Sequence, residues 1–271
     1  MIEVQSLDFT YPNGKKVFQG VDLQIEEGEY IAIMGENGAG KTTLVKHFNG
    51  LLRPTSGDVI IDGINTKESS VASLSKKVGL VFQNPEHQLF CETVKEEILF
   101  SLRNFGFSDR VANKQKDKVL EILSLTRYED VSPFTLSGGE KKRLALASIL
   151  AWDPKYVVLD EPTIGQDNDQ KIKLGNFIKQ LVAQDKTVII VTHDVEFVAD
   201  TKPKIILFSK GEIVAQDKCV NILTDKKLLH KTSLLMPQIG ELMLSFPNLK
   251  TKEKIIDVFT ARSFLRKELK K

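Results

Sequence analysis

The stretch Gly35-Glu36-Asn37-Gly38-Ala39-Gly40-Lys41-Thr42 fits the phosphate-binding loop pattern G-x-x-x-x-G-K-[ST]. Its glycines let the backbone curl so that consecutive N–H groups point at phosphate oxygens. We expect Lys41 to reach the β- and γ-phosphates and the Thr42 hydroxyl to ligate Mg²⁺. The helix that follows would direct its positive N-terminal end at the same phosphates. The loop therefore predicts a nucleotide site with Mg²⁺.

The segments on both sides of the loop fit this interpretation. Residues 30–34 (Tyr-Ile-Ala-Ile-Met) form an apolar run typical of a buried strand, and residues 43–48 favour a helix. Strand, loop and helix are the setting that a phosphate-binding loop requires. The residues expected to line the nucleotide are Asn37, Gly38, Ala39, Gly40, Lys41, Thr42 and Thr43.

Composition sets wider bounds. A chain of 271 residues suits one large domain, or a domain with an appendage. The net charge of +2 indicates no global attraction to nucleic acid or to an anionic membrane. The two cysteines, Cys91 and Cys219, are far apart, which favours a reduced cytosol. No apolar run approaches the roughly 18 residues of a membrane span, and the start Met1-Ile2-Glu3-Val4 favours a strand over a signal peptide.

Three more apolar runs are each followed by polar residues that could bind a ligand or take part in catalysis. Residues 78–82 precede Gln83, residues 156–159 precede Asp160 and Glu161, and residues 187–192 precede His193. In open α/β sheets, ligands bind beyond the carboxyl ends of the strands. We therefore expect Gln83, Asp160, Glu161 and His193 to gather with Lys41 and Thr42 around one nucleotide.

The two adjacent carboxylates predict different roles. Asp160 fits the carboxylate that orients hydrated Mg²⁺ in P-loop NTPases. Glu161 is a candidate general base for a water attacking the γ-phosphate, and neighbouring carboxylates can differ in role when their surroundings differ. Taken alone, the pair also fits a solvated strand end, and His193 also fits an ordinary core or surface histidine.

A second candidate phosphate-binding device is Leu136-Ser137-Gly138-Gly139-Glu140, which precedes a predicted helix over residues 141–151. Ser137 has the chemistry of an N-cap, and Gly138 and Gly139 allow close backbone approach to a ligand. Such a helix start suits an anion. The alternative is a capped helix start without a ligand.

With these motifs in order, the chain resembles the ATP-binding-cassette ATPases, whose signature reads L-S-G-G-Q. The resemblance covers roughly residues 1–220 and adds Tyr11, which looks like the aromatic that stacks on adenine in that family. It implies an α/β fold: a P-loop NTPase (RecA-like) core with a parallel sheet, N-terminal antiparallel strands, an inserted α-helical subdomain and a C-terminal helical appendage. It also implies ATP and Mg²⁺ as ligands.

The resemblance implies a composite site, in which one chain's phosphate-binding loop and another chain's signature enclose each ATP. A two-fold pairing would use both devices twice. The partner would be a second cassette subunit, either identical or a paralogue. Two departures from the family pattern are Glu140, where glutamine is usual, and the loop Thr163-Ile164-Gly165-Gln166-Asp167, where many family members have Ser-Ala-Leu-Asp. Asp167 is still present. Glu140 is tolerable if it points away or pairs with Lys141, Lys142 or Arg143.

The predicted organisation has two parts. Residues 1–220 would form the nucleotide-binding domain, with a helical subdomain at about 93–152 inserted between Gln83 and Asp160. Residues 221–271 would form a helical appendage. Within it, residues 234–243 suggest a loop and a short helix, and residues 252–271 suggest an amphipathic helix that clusters Ile255, Ile256, Val258, Phe259, Phe264 and Leu265. This helix would pack on its own core or form a dimer contact.

The segment Gln83-Asn84-Pro85-Glu86-His87-Gln88 is similar to the Q-N-P-x-x-Q pattern of ATPase subunits in energy-coupling-factor transporters, which import cobalt, nickel or vitamins. This resemblance implies an integral membrane coupling subunit, a substrate-binding membrane subunit and a peripheral place on the cytoplasmic face of the membrane. The alternatives are another cassette transporter or a soluble cassette ATPase acting on nucleic acid or ribosomes. No clustered basic face supports direct nucleic-acid binding. A P-loop kinase or GTPase and a non-hydrolysing scaffold fit the motifs less well.

Overall fold

The computed structural model describes residues 1–246 and 254–268. Within these residues the strands are β1 Ile2–Thr10, β2 Lys16–Ile25, β3 Tyr30–Gly35, β4 Ser56–Ile61, β5 Ile64–Asn65, β6 Val78–Val81, β7 Tyr156–Asp160, β8 Thr187–Val191, β9 Lys204–Ser209 and β10 Glu212–Lys218. The helices are α1 Lys41–Phe48, α2 Val71–Ser75, α3 Val94–Asn104, α4 Asp109–Ile122, α5 Gly138–Leu150, α6 Asn168–Val182, α7 Val195–Thr201, α8 Cys219–Ile222, α9 Lys226–Lys231, α10 Gln238–Leu244 and α11 Val258–Glu268.

The strands form two sheets, as the resemblance implied. The smaller sheet is antiparallel with the order β2-β1-β4-β5. The larger sheet has the order β10-β9-β3-β8-β7-β6, and its five strands from β9 to β6 run parallel. The antiparallel strand β10 closes one edge and joins β9 through a tight hairpin. The fold is therefore a mixed α/β structure with a largely parallel central sheet.

The central sheet is buried on both faces, which explains its continuous apolar runs. Side chains alternate along β3, so Ile31 and Ile33 pack with the small sheet and α1, while Ala32 and Met34 pack toward the helices on the other face. The strands β7 and β8 alternate in the same way. This double burial fixes the register of the strands whose carboxyl ends form the site.

Parallel pairing brings those carboxyl ends together. Asp160 at the end of β7 is paired with Val191 at the end of β8, and Val191 also faces Ile33 just before the phosphate-binding loop. Three helices, α3, α4 and α5, lie between β6 and β7 in the chain. In the inserted region α3 begins at Val94 and α4 at Asp109.

The C-terminal region corrects one prediction. The predicted loop and short helix are confirmed by α10, but the helix predicted over residues 252–271 begins only at Val258. Asp257 accepts hydrogen bonds from the Thr260 backbone N–H and hydroxyl, at 2.9 and 2.7 Å. It therefore caps the N-terminus of α11 and fixes where the helix begins. Residues 252–253 and 269–271 lie outside the described residues.

The apolar cluster predicted for that helix is also divided. Ile255 and Ile256 are buried before the helix begins, whereas Val258 and Phe259 are exposed, Phe259 by 80%. Ile256, with Leu229 and Leu234, joins the large hydrophobic core of the chain. The buried Asp257 carboxylate also forms an ion pair with Lys202 at the end of α7, with the charged atoms 2.8 Å apart. Ile256 therefore packs on the large core, whereas Ile255 and Ala261 pack with Met243 in a separate small cluster. A boundary at residue 220 stays a prediction.

Among the described residues, no helix combines the length and the apolar character that crossing a bilayer demands.

Candidate functional site

The phosphate-binding loop joins β3 to α1 through backbone conformations that only glycine adopts easily. Gly38 and Gly40 have φ values of +82° and +104°, and Gly35 has φ of +143°. A β-carbon on Gly35 would lie 2.0 Å from the Phe208 carbonyl oxygen, and one on Gly40 would lie 2.7 Å from the Phe18 ring. The loop therefore depends on glycine both for its turns and for its close packing against β2 and β9.

Lys41 and Thr42 are the first two residues of α1. Lys41 contacts the phosphate-binding loop, and Thr42 contacts the end of β7. The Lys41 ammonium donates to the carbonyl oxygens of Gly35 and Glu36, each at 2.8 Å. The Thr42 hydroxyl donates to the Asp160 carboxylate, at 2.9 Å from Oδ2. Burial lowers the pKa of Lys41 and raises the pKa of Asp160, since both charges lose hydration. An anionic ligand beside Lys41 and a cation beside Asp160 would offset the desolvation of these two charges.

Glu161 follows β7 in an unusual conformation. Its φ of +48° lies in the left-handed region, and its backbone N–H donates to the Val191 carbonyl at 2.8 Å. Its carboxylate is only 9% exposed, with Oε1 hydrogen-bonded to His193 Nδ1 at 2.9 Å and Oε2 without a partner. His193 is 49% exposed, so the pair joins a buried carboxylate to solvent. A non-glycine residue held in this region carries strain of about 1–3 kcal/mol.

One cavity of about 540 Å³ contains most of the predicted nucleotide residues. These are Tyr11, Asn37, Gly38, Gly40, Lys41, Thr42, Thr43, Gln83, Glu161 and His193. Ala39 is buried within the loop, and its carbonyl accepts a hydrogen bond from Gly211 at 3.1 Å. Asp160 reaches the cluster through Thr42. The Tyr11 hydroxyl lies 3.0 Å from the Thr43 hydroxyl, which ties the aromatic ring to the first turn of α1.

Three cations in the same cavity were missed by the sequence analysis: Lys15, Lys16 and Lys210. The turn at Pro12-Asn13-Gly14 is a signal for the first two, because it returns the chain beside Tyr11 through a hydrogen bond from Tyr11 N to Lys15 O. Lys210 reaches the cavity from the β9–β10 hairpin, far along the chain, and no motif marks it.

The signature residues lie elsewhere. Ser137 and Gly138 do not line the cavity of the phosphate-binding loop, and Gly139 lines a second cavity. Ser137 caps α5 through a capping box with Glu140, so the helix begins at Gly138 and not at residue 141. Within one chain, the two candidate phosphate-binding segments are therefore not brought together.

Glu140 is held by partners other than those expected. Its carboxylate accepts the Ser137 hydroxyl at 2.7 Å and the Ser137 N–H at 2.8 Å, and it also accepts the Tyr128 hydroxyl. Lys141 pairs with Glu86 instead, at 2.9 Å, and Lys142 donates to the Ile164 carbonyl. The hydrogen bonds from Tyr128 and Ser137 lower the pKa of Glu140 to about 2, so the carboxylate is charged at neutral pH.

The oxygen donors fit Mg²⁺ bound together with a nucleotide. Among the residues that the structure describes, no group of three or more His, Cys, Asp or Glu side chains could hold a metal by itself. Mg²⁺ usually takes one or two protein oxygens, substrate phosphates and waters. Thr42, Asp160 and Gln83 offer such a partial set beside the space expected for phosphates.

Comparison with known proteins places these features in a family. The family model described as "ABC transporter" matches residues 18–164. The energy-coupling factor transporter ATP-binding protein EcfA of Methanosphaera stadtmanae is 41% identical over 244 residues, covering 89% of this chain and 88% of that protein. EcfA2 of Clostridium perfringens is 37% identical over 275 residues, covering 97% and 96% of the two chains.

Solved structures are similar as well. CbiO1 of Clostridium perfringens, described as part of the ABC transporter complex cbiONQ, has a TM-score of 0.76 and 31% identity, covering 90% of this chain and 98% of that chain. A dimeric ATP-binding cassette bound to ADP and Pi in a post-hydrolysis state has a TM-score of 0.74 and 31% identity, covering 81% and 99%.

Proposed function

The chain belongs to the ABC transporter family of ATPases, and we propose that it is the ATP-hydrolysing subunit of an energy-coupling-factor transporter that imports a metal ion or a vitamin. The observation that carries this proposal is the Glu161–His193 contact beside the phosphate-binding cavity, since it supplies a positioned base where a γ-phosphate would end. The names of the EcfA relatives support the transporter class.

In this proposal the cavity binds MgATP. The Lys41 ammonium would exchange its two loop carbonyls for β- and γ-phosphate oxygens, and the loop N–H groups would cradle the same oxygens. Tyr11 would stack on the adenine. Thr42, Asp160 and Gln83 would hold Mg²⁺, which neutralises the charge that develops on the phosphates. The extra cations Lys15, Lys16 and Lys210 would add to the attraction for a triphosphate.

Glu161 would act as the general base. Its free Oε2 would accept a proton from water while the water oxygen attacks the γ-phosphorus and the bond to the β–γ bridging oxygen breaks, releasing ADP. His193 would hold Oε1 and so fix the orientation of the carboxylate. The phosphate leaves with the attacking oxygen, and the proton passes from Glu161 to solvent or product.

The signature would close the site of another chain. Because Ser137, Gly138 and Gly139 do not line the cavity of their own phosphate-binding loop, their helix start is available to a phosphate held by a second cassette subunit. ATP would then join two subunits, and hydrolysis would release them. Differential affinity of the closed pair for ATP and ADP would supply the work.

The segment after Gln83 would connect this work to a membrane subunit. Phe90, in the loop before α3, and Phe100 on α3 pack edge to face with their ring centres 4.8 Å apart, and both are exposed. An apolar helix of an integral coupling subunit would cover such a pair. The chain would thus sit at the cytoplasmic face of a membrane, together with a coupling subunit and a substrate-binding subunit.

The proposal is tested with the substitution Glu161→Gln. We expect ATP turnover to fall by about 10²–10⁴-fold, because general-base catalysis contributes that much, while ATP-driven association of two chains persists. Glu121→Gln, a matched change at an exposed position of α4, should leave turnover unchanged. Undiminished turnover in Glu161→Gln would refute the assignment of the base.

The transporter class is tested by identifying what copurifies from detergent-solubilised membranes. Two integral membrane proteins, one of them able to bind the transported substrate, are the expected companions. Copurification with ribosomes or DNA instead would overturn this part of the proposal.

A further inference from the structure

A second cavity, of about 340 Å³, also touches Glu161 but is separate from the phosphate-binding loop. Its walls come from the ends of β6, β7 and α4, and from the facing sides of α5 and α6. Small-molecule sites in proteins begin at about 300 Å³, so the space suits a small ligand. The proposed hydrolysis uses Gln83, Asp160 and Glu161 at one side of this cavity but none of its apolar lining residues.

The polar end of the cavity has unsatisfied hydrogen-bonding groups. Six buried side-chain atoms in the described part of the chain have no hydrogen-bond partner, and three of them belong to residues of this one cavity. They are the donor Arg143 Nε and the acceptors Glu161 Oε2 and Gln166 Oε1. Leaving a buried polar group unpaired costs about 1–3 kcal/mol. A ligand with both an acceptor and a donor would satisfy this set.

The rest of the cavity selects for an apolar body without net charge. Leu146, Leu174 and Phe177 supply apolar wall, which favours an aromatic or aliphatic group over water. The charged lining residues carry both signs, with Lys142, Arg143 and Lys173 opposed by Asp160 and Glu161. The Lys142 ammonium is already bonded to the Ile164 carbonyl. A charged head group of either sign would also lie near like charges, which a neutral head group avoids.

We propose that this cavity is a regulatory binding site for a small neutral molecule that joins an apolar body to a primary amide. The amide oxygen would accept from Arg143 Nε, and the amide N–H groups would donate to Gln166 Oε1 and Glu161 Oε2. Binding of this molecule in the cavity does not depend on the proposed function. Its effect on turnover rests on that function, because the occupant would engage the oxygen of Glu161 that is proposed to accept the proton.

The test uses the full chain and the probe 3-phenylpropanamide, with binding followed by ligand-observed NMR titration. A probe of this size should bind with a dissociation constant on the order of 1 mM. The carboxylate analogue, 3-phenylpropanoate, should bind more weakly because it cannot donate to Glu161 and Gln166. With saturating ATP, the amide should lower the maximal turnover rate and leave the half-saturating ATP concentration unchanged.

Two variants locate the binding. Leu174→Trp fills the cavity and should weaken amide binding by at least about tenfold, whereas Ile172→Trp, on the same helix but 54% exposed and outside the cavity, should not. Arg143→Met keeps the space and removes the donor, so it should weaken binding about fivefold, the value of one hydrogen bond. Thermal melting confirms that each variant folds.

The absence of saturable binding to the native chain would overturn the proposal, as would binding that neither Leu174→Trp nor Arg143→Met weakens. Saturable binding that leaves turnover unchanged would overturn the regulatory role, while turnover of Glu161→Gln tests the base independently.

Discussion

His193 Nδ1 lies 2.9 Å from Glu161 Oε1, and this contact leaves the second carboxylate oxygen, Oε2, without a partner. The two residues come from the ends of neighbouring parallel strands, β7 and β8, whose register fixes their separation. This contact supports the proposed role of His193 in orienting the carboxylate.

Replacing His193 by alanine should lower the maximal turnover rate by about 10–100-fold, because a hydrogen bond to a charged group contributes about 1.5–3 kcal/mol. The half-saturating ATP concentration should change much less. His230→Ala, at an exposed histidine on α9, is the control. Steady-state kinetics distinguishes the two effects, and an altered half-saturating concentration with unchanged maximal rate would contradict this role.

Glu140→Gln tests the unusual signature. The carboxylate can only accept, so the proton of the Ser137 hydroxyl is directed at Glu140. An amide of the same shape can donate to Ser137 and free its proton for a phosphate oxygen, and it removes one negative charge. We expect ATP-driven association of two chains to occur at an ATP concentration about fivefold lower, the value of one hydrogen bond.

Tyr128→Phe is the control for that change, because it removes a hydrogen bond to Glu140 and keeps the charge. Light scattering at increasing ATP concentrations measures the association. A requirement for more ATP in Glu140→Gln than in the native chain would contradict the prediction.

His47 should make the fold sensitive to acid. It is fully buried on α1 between Phe9 and Phe18, and burial lowers its pKa to about 4. The unfolded chain, with a pKa near 6.5, binds a proton that the folded chain excludes between about pH 6.5 and 4. The free energy of unfolding should therefore fall as the pH drops through this window, by up to about 3 kcal/mol.

His47→Phe should flatten this pH dependence, since it keeps the aromatic packing and removes the titrating group. Denaturant unfolding at several pH values measures the slope. An unchanged slope between pH 6.5 and 4 in the variant would exclude His47 as its source.

Gly211→Ala tests the close packing of the β9–β10 hairpin against β2. Gly211 has φ of +81°, and an added β-carbon would lie 1.9 Å from the Val17 carbonyl oxygen. Gly14→Ala is a matched control with φ of +83° and open space around the position. We expect Gly211→Ala to destabilise the chain by about 1–3 kcal/mol more than the control, the usual range for overpacking. Melting temperatures that fall equally in both variants would refute the steric argument.

Much of the site could be predicted because its residues follow buried strands. Asp160, Glu161 and His193 come at the ends of apolar runs, and parallel pairing brings such ends to one edge. The glycines of the loop are marked by spacing alone. These features depend on local sequence and on one general rule of sheet topology, so they need no knowledge of distant contacts.

Other features depend on contacts that no local pattern contains. Lys210 reaches the cavity only because β9 pairs with β3, and Glu140 meets Tyr128 across two separate segments. The start of α11 was missed because Ile255 and Ile256 match a helical apolar pattern, while the Asp257 cap overrides it. Ile255 and Ile256 are buried although they precede the helix, and the helix begins where the Asp257 side chain caps it.

The positive φ of Glu161 means that the side chain proposed for activity lowers the stability of the fold. Glycine would relax this backbone, so Glu161→Gly removes a penalty of about 1–3 kcal/mol while it removes the carboxylate. Selection for stability alone would therefore drift away from glutamate at this position. A duplicated copy that is no longer selected for ATP turnover would become more stable by losing this side chain. Two copies of the chain could therefore diverge into unequal cassettes for a physical reason.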